Sequence, residues 1–444
     1  MRIHLIATGG AVMHNLALAL QNNHHTVSGS DDEIYNPARD RLAAAGLLPE
    51  KFGWNADRIT PDLDAVILGM HARPDNPELL RAQELNLPIY SFPEFIYENS
   101  KEKTRIVVAG SHGKTSTTAM IMHVFRKSNK KFDYLVGAQL DGFDTMVQLS
   151  DAPVIILEGD EYLSSPIDRR PKFLHYRPHL TIMTGIEHDH VNVFPEFKTY
   201  KEQFSLLAES MPGDAKLFYF DEDAHLTEIM QRNEFSCSVM PYAAFRSEIE
   251  NGKTIAFDRA GQPHPLQIFG KHNLENLRAA YEVCLAYGIT EAEFWAAAET
   301  FAGAAKRLET VSEKPTSLTW RDFAHAPSKV RATTAAAAAQ YPDRELVAVF
   351  ELHTFSSLNK DFIGNYRDTM NAADRAFIYF SEHTLRMKKM PLLTKEEVAQ
   401  AFNHPHTEVF TDAEKMKNAL EEIDLDGVNL LLMSSGKFGG VKGL

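Results

Sequence analysis

The stretch Arg105–Ser116, RIVVAGSHGKTS, decides the fold of this chain. Apolar residues dominate its first part, as in a strand buried on both faces of a parallel sheet. Two glycines then precede what reads as the start of a helix, where backbone N–H groups and the helix dipole bind phosphate. In such a loop Lys114 neutralises the β- and γ-phosphates and the Thr115 hydroxyl ligates Mg²⁺. The stretch therefore predicts a nucleotide-binding loop inside an α/β domain.

The match to the general phosphate-loop pattern is incomplete, because that pattern has a glycine where Val108 stands. The competing interpretation is a glycine-containing turn between strand and helix, with Lys114 solvated. A Gly-Lys-Thr sequence directly after an apolar strand favours the phosphate loop.

Composition narrows the class of protein. At 444 residues the chain is too long for one ordinary core, so two or three domains are expected. A formal net charge of -14 argues against non-specific nucleic-acid binding, and two cysteines cannot form a disulfide framework. The first residues, MRIHLIATGG, are typical of a buried strand and turn rather than a signal peptide, and no apolar run has transmembrane length. We expect a cytoplasmic protein with no membrane or nucleic-acid partner.

Strands of near-continuous apolar residues open three successive regions, which predicts three α/β domains in series. We place these domains at residues 1–103, 104–309 and 310–444. The expected strands are Arg2–Ala7 and Ala65–Gly69 in the first region, Thr104–Gly110, Val154–Glu158 and Leu180–Thr184 in the second, and Leu346–Glu351, Ala376–Phe380 and Asn429–Ser434 in the third.

Five segments in a fixed order along the chain carry a family resemblance. They are Gly110–Thr115, Leu157–Glu161, Thr184–His190, Gly270–Ala280 and Phe301–Arg307. The first resembles the shortened phosphate loop of the Mur ligases, and the others are similar to that family's acidic, histidine, adenine-contacting and domain-closing arginine motifs. The resemblance spans nearly the whole chain. It implies a Rossmann-like N-terminal domain, a central P-loop ATPase-like domain and a Rossmann-like C-terminal domain.

The resemblance also implies a reaction in bacterial cell-wall metabolism: ATP phosphorylates a carboxylate and an amine then displaces the phosphate. Lys114, Glu158 and His190 become the expected catalytic residues, and Thr115, Glu158 and His190 the expected Mg²⁺ ligands. Glu158 ends an apolar run, where α/β folds place ligands, although a capping or surface carboxylate is the alternative. For His190, one of 19 histidines, the alternative is an ordinary histidine.

The expected ATP-binding residues come from the same motifs. They are Gly110, Ser111, His112, Gly113, Lys114, Thr115, Ser116, His272, Asn273, Asn276, Arg307 and Asp322. Several family members carry a carbamate-modified lysine in the helix after the histidine motif. Gln203 or Phe204 stands at that place, so we do not expect the modification here. This favours the subfamilies that add to the bare muramic acid carboxylate.

In the first domain, glycines between a strand and a helix suit a diphosphate. The expected UDP-sugar-binding residues are Thr8, Gly9, Gly10, Asp31, His71 and Asn76. A nucleotide-sugar dehydrogenase is the competing interpretation, although the GxGxxG pattern is not satisfied. For His71 and Asn76 ordinary loop capping is as good an explanation as direct contact.

Two subfamilies join an amine to UDP-N-acetylmuramate: one adds L-alanine, the other a recycled tripeptide, L-alanyl-γ-D-glutamyl-meso-diaminopimelate. The segments Ile167–Tyr176, Asp322–His325 and Met433–Gly440 resemble the recycling subfamily. The expected peptide-binding residues are His325, His353, Gly436 and Lys437.

Some residues depart from the recycling pattern. Arg321 and Ala326 replace an expected Asp and His, and Phe350–His353 lacks an expected arginine. We favour the tripeptide and keep L-alanine as the alternative acceptor. A UDP-sugar- and ATP-binding regulator without ligase chemistry is the alternative from another class.

Overall fold

The computed structural model describes residues 1–140, 142–188, 193–304 and 307–440. These residues form two compact units. The first unit comprises Met1–Ala244 and Glu275–Ala298, and the second comprises Phe245–Leu274 and Glu299–Leu444. We describe each unit by itself.

The chain begins with a parallel sheet and its helices. These elements are β1 (Arg2–Ile6), α1 (Ala11–Asn22), β2 (Thr26–Ser30), α2 (Ala38–Ala44), β3 (Ala65–Leu68), α3 (Pro77–Glu84), β4 (Ile89–Ser91) and α4 (Phe92–Glu98). The strand order is β2-β1-β3-β4, with every pair parallel. The order reverses between β1 and β3, and a crevice at the carboxyl end of such a pair is where doubly wound sheets bind ligands.

A larger sheet follows in the same unit. Its elements are β5 (Thr104–Ala109), α5 (Lys114–Lys127), β6 (Asp133–Leu135), β7 (Val147–Gln148), β8 (Val154–Gly159), β9 (Leu180–Met183), α6 (Phe197–Glu209), β10 (Lys216–Phe220), α7 (Ala224–Arg232) and β11 (Ser238–Tyr242). The strand order is β11-β10-β9-β5-β8-β6-β7, and only β6 and β7 pair antiparallel. Strand β8, with the sequence VIILEG, is buried along its whole length, which explains why it is apolar as far as Glu158.

The second unit holds two sheets. The elements of this part of the chain are β12 (Ser247–Glu250), β13 (Lys253–Phe257), β14 (Pro263–Leu266), α8 (Lys271–Tyr287), α9 (Glu291–Ala298), β15 (Glu309–Lys314), β16 (Ser317–Asp322), α10 (Pro327–Gln340), β17 (Glu345–Leu352), β18 (Arg375–Phe380), α11 (Glu382–Met387), α12 (Lys395–Phe402), β19 (Thr407–Phe410), α13 (Ala413–Glu421) and β20 (Val428–Met433). Of these, α9 and most of α8 belong to the first unit. The orders are β12-β13-β14, all antiparallel, and β15-β16-β20-β17-β18-β19, parallel except for β15 with β16.

Strand β17 shows why the six-stranded sheet is so apolar. Side chains alternate between the two faces of a strand, and here both faces are covered. Phe350 packs in one core cluster with Trp320 and Tyr366, while Val349 packs in another with Phe377. A continuous apolar run is the result.

The α/β class is confirmed, with separate N-terminal, central and C-terminal sheets. The strands expected from the sequence are present within a residue or two of their positions. Among the residues described, the structure contains no helix with the length and apolar character needed to span a membrane.

Glu78 anchors the N-terminal sheet from within. Its carboxylate is fully buried and accepts hydrogen bonds from His4 Nε2 (3.4 Å), the Asn55 N–H (2.9 Å), Ser30 Oγ and Arg58 (3.2 Å). Burial opposes ionisation, but the hydrogen bonds from His4, Asn55 and Ser30 hold the pKa of Glu78 below its usual value. Glu78 is therefore a buried carboxylate that stabilises the fold in its charged form.

We predict that Glu78→Gln lowers the free energy of unfolding by about 3 kcal/mol at pH 7, because it breaks a buried charged network. A lowered pKa stabilises the folded state above the unfolded value, about 4.3, and this contribution disappears as the pH falls through the folded value. Urea denaturation at pH 7 and at pH 4 measures the difference. The control Glu84→Gln, on the exposed face of the same helix, changes stability by less than about 0.5 kcal/mol. A Glu78→Gln effect equal at both pH values contradicts the assignment.

Candidate active site

Three neighbouring strands of the central sheet bring the predicted nucleotide-binding segments together. The order β9-β5-β8 places β5 between the other two, all parallel. The loop 110–113 follows β5, Glu158 lies near the end of β8, and Thr184 follows β9. Carboxyl ends of parallel strands share one edge of a sheet, so segments more than 70 residues apart meet there.

The loop is held by hydrogen bonds to Thr184 and Gly185, which follow β9. The Ser111 N–H donates to the Gly185 carbonyl (2.9 Å), and the single proton of the Thr184 hydroxyl is shared between the carbonyls of Ala109 (3.2 Å) and His112. Gly110 has φ +135°, and a side chain there would overlap Thr184 Oγ1. Helix α5 then begins at Lys114, after Gly113 in the left-handed region. These contacts fix the path of the loop between β5 and α5.

Lys114 lies among carboxylates. Its ammonium donates to Glu161 Oε2 (2.8 Å) and to the Gly110 carbonyl. Burial alone would lower the pKa of Lys114, but the charges of Glu161, Asp160 and Glu158 raise it above its usual value. The lysine is therefore a cation at neutral pH, as the sequence predicts for a phosphate-binding group.

Thr115 and Glu158 are in contact. The Thr115 hydroxyl donates to Glu158 Oε1 (2.9 Å), and the Gly137 N–H donates to Oε2 (2.9 Å). Glu158 is buried, and this burial raises its pKa. The structure brings the two predicted Mg²⁺ ligands together; the third, His190, lies outside the described residues.

Asn276 on α8 approaches the start of α5. A side chain at Gly113 would overlap Asn276 Oδ1. Asn276, a residue of the predicted adenine motif, therefore lies beside the loop that precedes α5. Asn276 and the loop both belong to the first unit. Ser116 is buried one turn into the helix, and His112 lies half-buried in the loop.

Four further predicted ATP-binding residues belong to the second unit, where each has partners of its own. Asn273 Nδ2 donates to the Phe269 carbonyl (2.9 Å), His272 is half-buried, and the Arg307 guanidinium lies over the Phe323 ring (5.0 Å). Buried Asp322 accepts from the N–H groups of Leu308 and Ala324, each at 2.7 Å. Their ATP contacts stay a prediction.

In the N-terminal sheet the predicted sugar-site residues follow β1 and β2. The Thr8 N–H donates to the Ser30 carbonyl (2.9 Å), and the Gly9 N–H donates to Asp31 Oδ2 (2.7 Å). Burial raises the pKa of Asp31 to about 6, against the hydrogen bond from Gly9. Gly10 directly precedes α1. Asp31 thus occupies the glycine turn that the sequence assigns to a diphosphate.

The two other predicted sugar contacts differ in surroundings. Asn76 Oδ1 accepts from the N–H groups of Glu78 (2.9 Å) and Leu79 (3.2 Å), so Asn76 caps α3. Capping is the alternative that the sequence offers for Asn76 beside direct contact with the sugar nucleotide. His71 is exposed after β3. Neither observation tests sugar binding.

The C-terminal sheet repeats the arrangement with β16, β20 and β17 side by side. Glu351, near the end of β17, is buried and accepts from the Ser434 hydroxyl and the Phe438 N–H (2.8 Å). His353 Nδ1 lies 3.7 Å from Glu351 Oε1. A side chain at Gly436 would lie 2.8 Å from both residues, so the close approach requires glycine.

The remaining predicted peptide contacts lie on the loops after β16 and β20. His325 Nδ1 lies 2.9 Å from the Phe323 carbonyl, and the Tyr366 hydroxyl donates to the His325 carbonyl. Lys437 is exposed. Their contact with a peptide is not tested by this geometry.

Sequence reasoning missed Glu351 and the partners of Lys114 and Ser111. Glu161 stands in a motif that the sequence does single out, so its place beside Glu158 was a usable signal. Glu351 stands at the end of an apolar run, as Glu158 does, and the same rule would have found it. Tyr200 lies inside an amphipathic helix, where no local pattern distinguishes it from a core residue.

A group of acidic and basic side chains lies elsewhere in the first unit. Glu94, Asp168 and His175 approach one another within 4.8 Å. The Arg170 guanidinium bridges the two carboxylates, at 2.6 Å from Asp168 and 3.5 Å from Glu94. This group joins α4 to the segment before β9 as an ion-pair network.

Comparison with known proteins extends over the whole chain. Residues 2–104 match the model of the Mur ligase family, catalytic domain, and residues 108–284 match that of the Mur ligase middle domain. The UDP-N-acetylmuramate–L-alanyl-γ-D-glutamyl-meso-2,6-diaminoheptandioate ligase of Escherichia coli is 26% identical over 99% of this chain and 96% of its own length. The UDP-N-acetylmuramate–L-alanine ligase of Clostridium kluyveri is 30% identical over 81% of this chain and 80% of its own length.

Solved structures share the fold. A murein peptide ligase from Psychrobacter arcticus aligns with TM-score 0.64 and 22% identity, over 100% of this chain and 97% of that one. A UDP-N-acetylmuramate–alanine ligase from Thermotoga maritima aligns with TM-score 0.72 and 21% identity, over 99% and 97%. The motif order, the nucleotide loop and these matches agree: the chain belongs to the Mur ligase family of ATP-dependent, amide-bond-forming ligases.

Proposed function

We propose that this ligase joins L-alanyl-γ-D-glutamyl-meso-diaminopimelate to the carboxylate of UDP-N-acetylmuramate, with ATP and Mg²⁺. The observation that carries the ATP-dependent part of the proposal is the contact between the Lys114 ammonium and Glu161 at the start of α5. Residues 1–103 bind the UDP-sugar, residues 104–309 bind ATP, and residues 310–444 bind the incoming amine. The reaction takes place in the cytoplasm, where ATP and UDP-sugars are found.

The chain's residues act mainly by position and charge, as phosphoryl transfer requires. The substrate carboxylate attacks the γ-phosphorus, which forms an acyl phosphate and releases ADP. The amine then attacks the acyl carbon, and phosphate leaves from the tetrahedral intermediate. Lys114 and the N–H groups at the start of α5 stabilise the charge on the phosphate oxygens.

The residues present fit a Mg²⁺ ion. Thr115 and Glu158 supply hard oxygen donors 2.9 Å apart, the kind of ligand that Mg²⁺ prefers. Bound there, the ion supplies charge neutralisation for the phosphates. His190 is the third proposed ligand.

Support for the tripeptide comes from the extent of the alignments. The Escherichia coli ligase aligns over 99% of this chain, whereas the L-alanine ligase of Clostridium kluyveri aligns over 81%. The segments Ile167–Tyr176 and Met433–Gly440 point the same way. His325, His353, Gly436 and Lys437 are the proposed peptide contacts. L-Alanine is the alternative acceptor.

A regulator without ligase chemistry is the less favourable hypothesis. Such a protein needs no paired charges for phosphoryl transfer, yet Lys114 pairs with Glu161 and Thr115 with Glu158 at the nucleotide loop. The nucleotide-sugar dehydrogenase interpretation is wrong, because the chain is a Mur ligase.

The acceptor is tested by phosphate release from ATP with UDP-N-acetylmuramate plus either L-alanine or the tripeptide, run side by side. We expect kcat/KM for the tripeptide to exceed that for L-alanine at least about tenfold, which is about 1.4 kcal/mol of discrimination. Mass spectrometry of the product confirms the new amide bond. The reverse preference overturns the tripeptide assignment, and no release with either acceptor contradicts the proposed substrates.

Lys114→Ala should reduce kcat/KM at least about a hundredfold, because a group that stabilises transition-state charge is worth several kcal/mol. Steady-state phosphate release measures the loss, and circular dichroism checks folding. The control is Lys127→Ala, an exposed lysine at the other end of the same helix, which should keep full activity. Equal activity of the two variants would remove Lys114 from the phosphate site.

Gly113→Ala should weaken ATP binding at least about tenfold, because the added methyl group meets Asn276 Oδ1 and displaces the loop. Gly46→Ala is the matched control: Gly46 also has a positive φ (+70° against +80°), but a side chain there meets open space. In both variants backbone strain lowers the free energy of unfolding by about 1 kcal/mol. Isothermal titration with ATP separates them, and similar affinities would show that strain alone matters.

A further inference from the structure

Tyr200 of α6 is fully buried in a cage of rings. Its own ring lies 5.6 Å from Phe194, 5.5 Å from Phe204 and 6.0 Å from His188, measured between ring centroids. A buried tyrosine hydroxyl needs partners, since an unpaired polar group in an apolar core is costly. Its partners are on the nucleotide loop and on the acidic motif.

The hydroxyl of Tyr200 contacts two groups of the site. It donates to Glu161 Oε1 (2.8 Å) and lies 2.7 Å from Ser111 Oγ. A phenol has one proton, and the carboxylate can only accept it, so Ser111 must be the donor to Tyr200. Ser111 Oγ in turn accepts from the Glu187 N–H (2.9 Å).

These bonds form one chain from the histidine motif to the lysine. The Glu187 N–H donates to Ser111, Ser111 donates to Tyr200, and Tyr200 donates to Glu161, which also accepts from the Lys114 ammonium. Each hydroxyl both donates and accepts, which strengthens the neighbouring bonds in a low-dielectric interior. Tyr200 is the link between the two ends of the phosphate loop, Ser111 and Lys114.

We propose that Tyr200 is a positioning residue of the ligase: its hydroxyl fixes Glu161 and Ser111 and thereby sets where the Lys114 ammonium stands when ATP binds. The inference rests on the proposed function, since it takes ATP as the ligand of the loop. Tyr200 touches no reacting atom. Its effect passes through Glu161 to Lys114.

Tyr200→Phe removes only the hydroxyl and keeps the ring in its cage. We expect kcat for phosphate release to fall about tenfold or more, because a hydrogen bond to a charged group is lost. KM for UDP-N-acetylmuramate should stay within twofold, because that substrate is assigned to the N-terminal sheet. The matched control is Tyr176→Phe: Tyr176 is also fully buried, and within the described residues its hydroxyl has no hydrogen-bond partner. The control should retain kcat within twofold.

A double-mutant cycle separates positioning from general loosening of the core. If Tyr200 acts through Glu161, then Tyr200→Phe should reduce kcat much less in an Glu161→Gln background than in the wild type. Tyr176→Phe should be additive with Glu161→Gln. If Tyr200→Phe does not fold, Ser111→Ala breaks the same chain of bonds from the loop side, and its cycle with Glu161→Gln replaces the first.

Additive effects in the cycle, or wild-type kcat in Tyr200→Phe, overturn the positioning role while ligase activity stands. Failure of the proposed function has a different signature, because the wild-type protein itself would then release no phosphate from ATP with UDP-N-acetylmuramate and either acceptor. The two failures are therefore distinguished before the variants are compared.

Discussion

The ammonium of Lys114 is largely buried, with 13% of its side chain exposed, beside a Glu161 side chain that is fully buried. An unpaired charge in that position would cost several kcal/mol, so the loop, the acidic motif and α6 must all be in place for the lysine to be cationic. Glu161 supplies the pair, Asp160 and Glu158 add negative charge, and Lys172 pairs with Asp160. The rest of the central site is arranged around this balance.

The same balance explains the need for further positive charge when a nucleotide binds. Three carboxylates, Glu158, Asp160 and Glu161, face two lysines, Lys114 and Lys172, and burial raises the pKa of Glu158. A triphosphate adds several negative charges to that environment. The proposed divalent cation on Thr115 and Glu158 would stabilise the ionised form of the carboxylate and the phosphates together.

All three large sheets use one geometric device. In each, a strand is flanked by parallel neighbours, and the loops at their carboxyl ends meet. Buried carboxylates then organise the loops: Asp31 binds the Gly9 N–H in the first sheet, Glu158 binds the Gly137 N–H in the second, and Glu351 binds the Phe438 N–H in the third. A carboxylate can accept several N–H groups at once, which suits the turns that leave strand ends.

The sequence by itself determined the α/β class, the eight strands named in the sequence analysis, the nucleotide loop and the lysine at its end, because each leaves a local pattern: an apolar run, a glycine turn, a helix start. It also placed Glu158 near the loop, since a polar residue that ends a buried parallel strand lies at the ligand edge. Only the tertiary structure decided that Glu161 holds Lys114, that Tyr200 joins Glu161 to Ser111, and that Asn76 caps α3. These depend on which strands are neighbours and on which face of α6 is buried. Neither feature can be predicted from local periodicity. In the pattern of apolar residues Tyr200 resembles the phenylalanines around it, from which it differs by one oxygen atom.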